Sequence, residues 1–257
     1  MEKKRQILNN GFFLLAVIFM ISFASCAHKT GHKKDKFAQA NSMNAPSSQQ
    51  TPIAPSQPAD VSVPYGKHKD KMDGPEIFKK YSSAVFMVFT SDGSRLYQGS
   101  GFFINDNGLA VSNYHVFKST YVGQESIKLA GSDSFYKLSE VIQKDENNDF
   151  ILFKVNCTNT NYIPLASSKP NVGEKVFAIG SPRGLENTFS SGEVSQWRDA
   201  NLMQISALID HGSSGGALIN EYGEVVGITS GTFYDGSQAN LNYAWSIDVI
   251  KPYVRKR

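Results

Sequence analysis

From residue 74 onward, short apolar stretches alternate with polar turn residues along the chain. Most stretches have the length of a β-strand, and Gly, Asn, Asp or Ser separates them, which is typical of strands joined by tight turns. The predicted strands are residues 84–90, 97–104, 109–113, 126–130, 136–143, 150–155, 174–179, 192–197, 202–209, 217–220, 224–232 and 242–246. Because almost no pattern of helical period lies between them, we expect an antiparallel sandwich or barrel.

Two turns and two short helices complete this pattern. Residues 105–108 (NDNG) and 221–223 (EYG) each separate two predicted strands, and Asn and Gly favour the left-handed backbone of hairpin turns. Helices are predicted at residues 75–82, where Pro75 occupies the first turn, and at residues 247–254. The fold class is therefore expected to be all-β with a short helix near each end of the folded part.

The first 26 residues have the pattern of an export signal. Residues 1–5 are basic, residues 11–24 are almost wholly apolar, and Ser25-Cys26 follows. The apolar run is short for a membrane span, which needs about 20 residues. Residues 23–26 (FASC) resemble the lipobox of bacterial lipoprotein signals, so we predict a signal peptide at residues 1–26 with lipidation at Cys26. An uncleaved anchor and a plain signal peptide cut nearby are the alternatives, and all three place the folded part outside the cytoplasm.

Residues 27–73 differ in composition from the segments on either side of them. They hold half of the ten prolines, set among Ser, Gln, Asn, Lys and Ala, and they have neither helical nor strand periodicity. Such a stretch buries too little apolar surface to offset its ordering entropy. We predict a disordered tether at residues 27–73 that lifts a folded domain, residues 74–257, off a membrane.

Charge and cysteine content exclude several classes of function. The formal net charge is +3, but residues 1–36 carry seven basic and two acidic side chains, and the rest of the chain has a net charge of −2. A basic nucleic-acid-binding face on the folded part is therefore not expected. The two cysteines, Cys26 and Cys157, rule out a disulfide framework and a multi-cysteine zinc site. No residue spacing implies a metal or an organic cofactor.

The strongest chemical motif is residues 212–216 (GSSGG). A hydroxyl nucleophile in acyl transfer lies exposed on a tight turn, with backbone N–H groups aimed at the oxygen that becomes negative. Glycines on both sides of Ser214 permit that backbone. Gly-rich turns with serine are also common in ordinary loops, so this motif alone does not decide the function.

Two further residues change that interpretation. His115 ends a predicted strand, and Asp149 opens an apolar one. A lone His is usually a surface or core residue, and Asp before a strand is usually a turn former. The chain order His115, Asp149, Ser214 nevertheless matches one of the known catalytic triads, and the coincidence of all three favours nucleophilic catalysis.

Residues 75–257 resemble the trypsin-like serine proteases, and more closely their bacterial HtrA/Deg branch. The motifs that carry the resemblance are residues 99–104 (GSGFFI), 111–116 (VSNYHV), 148–152 (NDFIL), 180–182 (GSP) with 191–195 (SGEVS), and 212–218 (GSSGGAL). The resemblance implies a double six-stranded antiparallel β-barrel, with barrels at about residues 74–165 and 166–257. The PDZ domain that usually follows in this branch is not expected, since the sequence ends at Arg257.

The resemblance also implies a mechanism and its residues. Ser214 Oγ attacks the scissile carbonyl, His115 transfers the proton, and Asp149 orients the imidazole. The N–H groups of Gly212 and Ser214 form the oxyanion hole.

Substrate binding is implied by the same resemblance. Thr229, Ser230 and Gly231 form the strand that pairs with the substrate backbone. Leu208 forms the base of the primary side-chain pocket, which favours a small or medium apolar side chain over Lys or Arg. The expected partners are protein or peptide substrates, with no nucleic acid.

These residues together predict a membrane-anchored serine endopeptidase of the bacterial cell envelope, with its domain facing the periplasm or the exterior. Quality control of envelope proteins is the role expected from the family. The main alternative is an inactive, protease-like binding module of the envelope, although such modules usually lose a triad member. A structural envelope protein is a third alternative, and the triad coincidence argues against it. The oligomeric state and the natural substrate do not follow from the sequence.

Overall fold

The structure is a computed structural model, and it describes residues 61–67, 70–120, 123–181, 187–232 and 241–257. The predicted signal peptide, its Cys26 and most of the predicted tether lie outside these residues. Within the described ranges, no helix is long and apolar enough to cross a membrane.

Seven strands form the first sheet. They are β2 (Val85–Ser91), β3 (Leu96–Phe103), β4 (Leu109–Ser112), β5 (Ser126–Leu129), β6 (Phe135–Tyr136), β7 (Leu138–Asp145) and β8 (Phe150–Val155). Their order is β6-β5-β2-β3-β4-β8-β7, and every neighbouring pair is antiparallel. In the described part of the chain β6 and β7 remain edges, so this sheet curls into a half-barrel without closing.

The seventh strand arises because the predicted strand 136–143 is divided at Lys137. The Lys137 ammonium donates to the carbonyl of Gly123 at 2.9 Å and to the carbonyl of Glu125. β6 therefore pairs with β5 on one side of this lysine, and β7 pairs with β8 on the other.

Six strands form the second sheet, and they close into a barrel. They are β9 (Lys175–Gly180), β10 (Thr188–Trp197), β11 (Leu202–Ile205), β12 (Ala217–Asn220), β13 (Val225–Thr232) and β14 (Asn242–Ser246). The order around the barrel is β10-β11-β14-β13-β12-β9, again with antiparallel pairs. The predicted all-β double-barrel architecture is confirmed, with one closed barrel and one open sheet.

The two sheets have different cores. The first contains a phenylalanine cluster, in which the Phe86 ring lies 4.7 Å from that of Phe103 and 6.4 Å from that of Phe153. The second is filled mainly by smaller aliphatic side chains: Ala178, Val194, Met203, Leu218 and Ala244. A third cluster joins the sheets, and it includes Phe102 and Leu152 from the first and Ile179 and Ile228 from the second.

Helices close both ends of the folded part, as predicted. Helix α1 (Gly74–Tyr81) begins at a capping box, in which the Asp73 carboxylate accepts the Glu76 N–H at 2.9 Å and the Glu76 carboxylate accepts the Asp73 N–H at 3.0 Å. The C-terminal helix is a 3₁₀-helix (Ile247–Tyr253). Helix α2 (Tyr114–Phe117) is a single turn after β4.

The prediction that the folded part begins at residue 74 is wrong, because ordered structure starts earlier. Strand β1 (Ser62–Val63) pairs in parallel with β15 (Arg255–Lys256), and Val63 is fully buried in the cluster that joins the sheets. Residues 61–65 (VSVPY) alternate apolar and small side chains, which is a strand pattern. The prolines of the preceding segment hid this short pattern, so the tether prediction does not hold for the described part of residues 61–73.

Candidate active site

His115 and Asp149 are brought together at one end of the neighbouring strands β4 and β8. His115 lies in α2 directly after β4, and its Nδ1 is 2.8 Å from Asp149 Oδ2. The His115 backbone N–H also donates to Asp149 Oδ1 at 2.9 Å. The carboxylate thus holds the histidine by both ring and backbone, and the side chain stays 46% exposed for contact with other groups.

Asp149 has an unusual backbone, with φ at +45°. This left-handed conformation is uncommon for residues other than glycine. The side chain of Asn113, which is fully buried, donates from Nδ2 to the Asp149 carbonyl at 2.8 Å and so stabilises that conformation. Asn113 is a site residue that the sequence prediction missed, although it lies two positions before His115.

Ser230 provides a third donor to the same carboxylate. Its Oγ donates to Asp149 Oδ2 at 2.9 Å. The sequence predicted Ser230 as part of the strand that pairs with the substrate backbone; its side chain contacts Asp149, and the backbone pairing stays a prediction. Since Ser230 lies on β13, this bond links the second sheet to the first.

Ser214 lies on a tight turn between the sheets. Gly212 and Gly215 flank it with φ of +94° and +88°. A Cβ at Gly215 would lie 2.2 Å from the Ser100 carbonyl oxygen and 2.3 Å from Ser112 Oγ. Only glycine fits there, because the first sheet contacts the turn at this point.

The backbone N–H groups of Gly212 and Ser214 donate to no other described residue. Within the described residues, no acceptor therefore occupies either N–H group. Among the described residues Ser214 Oγ also makes no hydrogen bond, so its link to His115 is the one contact of the predicted triad that is not formed. Catalytic hydrogen bonds are often long before a substrate binds.

Comparison with known proteins decides the family. A family model described as "Trypsin-like peptidase domain" matches residues 99–228, just over half of the chain. The chain belongs to the trypsin-like peptidase family. All three triad candidates lie within the matched residues.

Curated relatives agree with this assignment. The chain is 31% identical over 183 residues to "Serine protease HTRA2, mitochondrial" of Drosophila grimshawi, across 66% of this chain. It is 33% identical over 205 residues to a "Probable periplasmic serine endoprotease DegP-like" of Halomonas elongata, across 73% of this chain. The chain spans 42% of the length of each relative.

A solved structure matches the fold as well. The serine endoprotease from Yersinia pestis superposes with a TM-score of 0.63 at 25% identity, covering 72% of this chain and 66% of that one. The predicted similarity to HtrA and DegP proteases is therefore confirmed in both sequence and fold.

In this trypsin-like peptidase, Thr229 helps to hold residues 212–216, the turn that carries the candidate nucleophile Ser214 and is called the nucleophile turn below. It is 1% exposed, and its Oγ1 donates to the Ser213 carbonyl at 2.7 Å. Its N–H donates to the Gly216 carbonyl, and its carbonyl accepts the Gly215 N–H. All its polar groups are thus used by the turn, which corrects its prediction as a substrate-binding residue.

Gly231 lies beside Ser214, the candidate nucleophile. Its φ is +86°, and a Cβ there would lie 3.4 Å from Ser214 Oγ. Of the three residues predicted for the substrate-binding strand, Gly231 is the one whose α-carbon borders the space in front of Ser214.

Leu208 does not form the base of a buried pocket. Its side chain is 73% exposed, whereas its neighbours Ala207 and Ile209 are buried. Its carbonyl accepts a hydrogen bond from Ser190 Oγ at 2.8 Å, which holds the backbone with Leu208 turned outward. The predicted pocket assignment is therefore corrected, and the side-chain preference that rested on it loses its support.

Within the described residues, no group of three or more His, Cys, Asp or Glu side chains is placed to hold a metal ion. The chemistry available at the site is that of the hydroxyl, imidazole and carboxylate, together with backbone N–H groups.

Proposed function

We propose that the protein is a serine endopeptidase that cleaves peptide bonds through an acyl-enzyme on Ser214. The observation that carries this proposal is the bond between His115 Nδ1 and Asp149 Oδ2, in a chain of the trypsin-like peptidase family. An imidazole held in this way presents Nε2 as the base for a serine hydroxyl.

The first half of the reaction forms the ester. Ser214 Oγ attacks the substrate carbonyl carbon while its proton passes to His115 Nε2, and Asp149 stabilises the resulting imidazolium. The carbonyl oxygen becomes negative and accepts hydrogen bonds from the N–H groups of Gly212 and Ser214. The C–N bond then breaks, and the amine leaves with the proton from His115. Water attacks the ester by the same route, which releases the second product and restores Ser214.

Proteins and peptides are the proposed substrates, as the protease names of the relatives suggest. We place the enzyme in the bacterial cell envelope as an exported lipoprotein anchored through Cys26. The lipobox-like residues 23–26 and the periplasmic assignment of the Halomonas elongata relative support this location. Quality control of envelope proteins is the role we propose for it.

A protease-like binding module is the second candidate. The observation that favours it is the lack of a hydrogen bond from Ser214 Oγ to the described residues. A module of this kind would bind unfolded proteins without cutting them.

The deciding experiment compares the detergent-solubilised full chain with Ser214→Ala and Ser213→Ala variants on dye-quenched denatured casein. Ser213 is the matched control, because it is the neighbouring serine on the same turn. We expect cleavage by the parent and by Ser213→Ala, and none by Ser214→Ala. No cleavage and no labelling of the parent by a fluorophosphonate would favour the binding module.

The anchor is tested separately. Cells expressing the chain are fed a palmitate analogue, and the parent is compared with Cys26→Ala and Cys157→Ala. We expect label on the parent and on Cys157→Ala, and loss of label in Cys26→Ala. Label that persists in Cys26→Ala would contradict the lipoprotein assignment.

A further inference from the structure

Ser100 occupies the contact between the first sheet and the nucleophile turn. It lies on β3 and is fully buried. Its N–H donates to the Ser214 carbonyl at 2.8 Å, and its Oγ donates to the Gly212 carbonyl at 2.7 Å. One residue of the first sheet therefore holds two carbonyls of the turn, one on the candidate nucleophile and one on a candidate oxyanion-hole residue.

We propose that the Ser100 hydroxyl is a positioning residue for the oxyanion hole; this inference rests on the proposed peptidase function. Gly212, at φ +94°, has no Cβ to restrict its backbone. A glycine explores both hands of the backbone readily, so its peptide orientation must be set from outside. The hydrogen bond from Ser100 Oγ to the Gly212 carbonyl restrains the 212–213 peptide from the side of the first sheet, and the Ser213 N–H of the same peptide donates to the Asp210 carbonyl at 2.9 Å.

The middle of the turn is held independently of that hydroxyl. The Ser213 carbonyl accepts the Thr229 hydroxyl at 2.7 Å and the Gly216 N–H at 2.9 Å. In one peptide unit, the carbonyl of a residue and the N–H of the next residue point in opposite directions. The Ser214 N–H is therefore aimed by Thr229. The Gly212 carbonyl belongs to the peptide that carries the Ser213 N–H, so Ser100 restrains the peptide that follows the Gly212 N–H, on the other side of the Gly212 α-carbon. The Ser214 donor thus depends directly on one hydroxyl group, and the Gly212 donor depends on another through this neighbouring peptide.

The Ser100 hydroxyl also accepts a hydrogen bond. The Ser181 N–H donates to Ser100 Oγ at 2.9 Å, and a Cβ at Gly180 would lie 3.4 Å from the same oxygen. The oxygen is enclosed by these neighbours, and Ser100 has no exposed surface. An alanine at this position would leave the Gly212 carbonyl and the Ser181 N–H without partners in a buried site.

Ser112 provides a matched control for Ser100. It is also fully buried at the same contact, and its Oγ donates to the Ser100 carbonyl at 2.7 Å. Ser112→Ala removes one buried hydroxyl from the same interface but leaves both carbonyls of the turn held. A purely structural effect of losing a hydroxyl would therefore be similar in Ser100→Ala and Ser112→Ala.

The test uses the full chain in detergent and two inhibitors. A peptide aldehyde forms a tetrahedral adduct with Ser214 that needs the oxyanion hole, whereas a cleaved product peptide binds without it. For Ser100→Ala we expect kcat and aldehyde affinity to fall together by about 10- to 100-fold, since one oxyanion donor is worth 10²–10³ in kcat. KM and product affinity are expected to stay within about twofold. Ser100→Cys, with a weaker donor, should lie between Ser100→Ala and the parent.

Each other result overturns the proposal. Equal effects of Ser100→Ala and Ser112→Ala, or a parallel loss of product and aldehyde affinity, would assign Ser100 a structural role only. If Ser100→Ala does not fold, Ser100→Cys decides, and parent-like kinetics for it would refute the inference. A parent that neither cuts casein nor reacts with a fluorophosphonate would overturn the proposed function as well, so the two failures are distinguishable.

Discussion

The first sheet and the second barrel build their parts of the site by different means. The first holds His115 and Asp149 by hydrogen bonds from His115 to the Asp149 carboxylate and from Asn113 to the Asp149 carbonyl, and Ser230 of the second barrel adds a further bond to the carboxylate. The second places Ser214 on a turn between glycines at positive φ, and the hydroxyl groups of Thr229 and Ser100 hold carbonyls of that turn. The His115–Asp149 pair therefore depends on individual hydrogen bonds, whereas the turn that carries Ser214 depends on glycines in close contact with the opposite sheet.

Gly215→Ala tests the nucleophile turn at the position where it lies closest to the first sheet. The new Cβ would lie 2.2 Å from the Ser100 carbonyl oxygen, at a φ of +88°. Overpacking and the left-handed backbone together are expected to lower the free energy of unfolding by about 2–5 kcal/mol. Urea unfolding measures the loss.

Gly131→Ala is the control for Gly215→Ala. Gly131 has φ +69°, but a Cβ there would meet nothing within 4 Å. The control should lose only about 1 kcal/mol from backbone strain. Equal losses in the two variants would contradict the claim that sheet contact constrains the turn.

Asn113→Ala tests the side-chain half of the site. Without Nδ2 the left-handed backbone of Asp149 loses its support, and the imidazole shifts with it. We expect kcat to fall by about 10- to 100-fold with little change in KM, because a displacement of about 1 Å can cost 10² in rate. Steady-state hydrolysis of a peptide substrate measures both constants. Asn171→Ala, which removes an exposed amide bonded to Glu174, should leave them unchanged.

Acid should loosen the turn that leads to Asp149. Hydrogen bonds from the Asn148 side chain and then its backbone lower the pKa of Asp145. A carboxyl with a lowered folded-state pKa stabilises the fold above its ordinary value of 3.8, and this contribution is lost as the pH falls through the lowered pKa. We expect a loss of about 1 kcal/mol in unfolding free energy between pH 5 and pH 2 that is absent from Asp145→Asn. An unchanged pH dependence in that variant would contradict this assignment.

The smallest expected effect on activity is at Cys157, at the edge of the first sheet's phenylalanine cluster. Burial raises the pKa of its thiol to about 11. In a Cys26→Ala chain at pH 8, we expect iodoacetamide to react about 100-fold more slowly with the folded protein than with the protein in urea. Before Cys157 is alkylated, the peptidase activity of this chain should equal that of the parent. Similar folded and unfolded rates would show that the cluster does not shield the thiol.

Much of the fold could be predicted from the sequence, because most strands have a local sequence pattern of their own. Residues 105–108 give a hairpin turn, and the predicted strand 150–155 matches β8 (Phe150–Val155) in full. The triad candidates could be found because their residue types and chain order are specific.

Other features depend on contacts between distant segments, and these have no local signal. The roles of Asn113 and Ser100 come from single hydrogen bonds to residues far along the chain. The Leu208 side chain is exposed, and its carbonyl is held by Ser190, which is distant in the sequence. Thr229 was assigned to the substrate-binding strand by the family resemblance. Its position in the motif does not reveal which side of the strand contacts the nucleophile turn.

The pairing of β1 with β15 has a mechanical consequence. The Arg255 N–H donates to the Val61 carbonyl at 3.0 Å, and the Arg257 N–H donates to the Val63 carbonyl at 2.9 Å. We expect tension applied at Val61 to load these two bonds and the bond from Asn105 Nδ2 to the Ser62 carbonyl, and none of the three involves the nucleophile turn. The two strands should therefore separate under load before the nucleophile turn is strained.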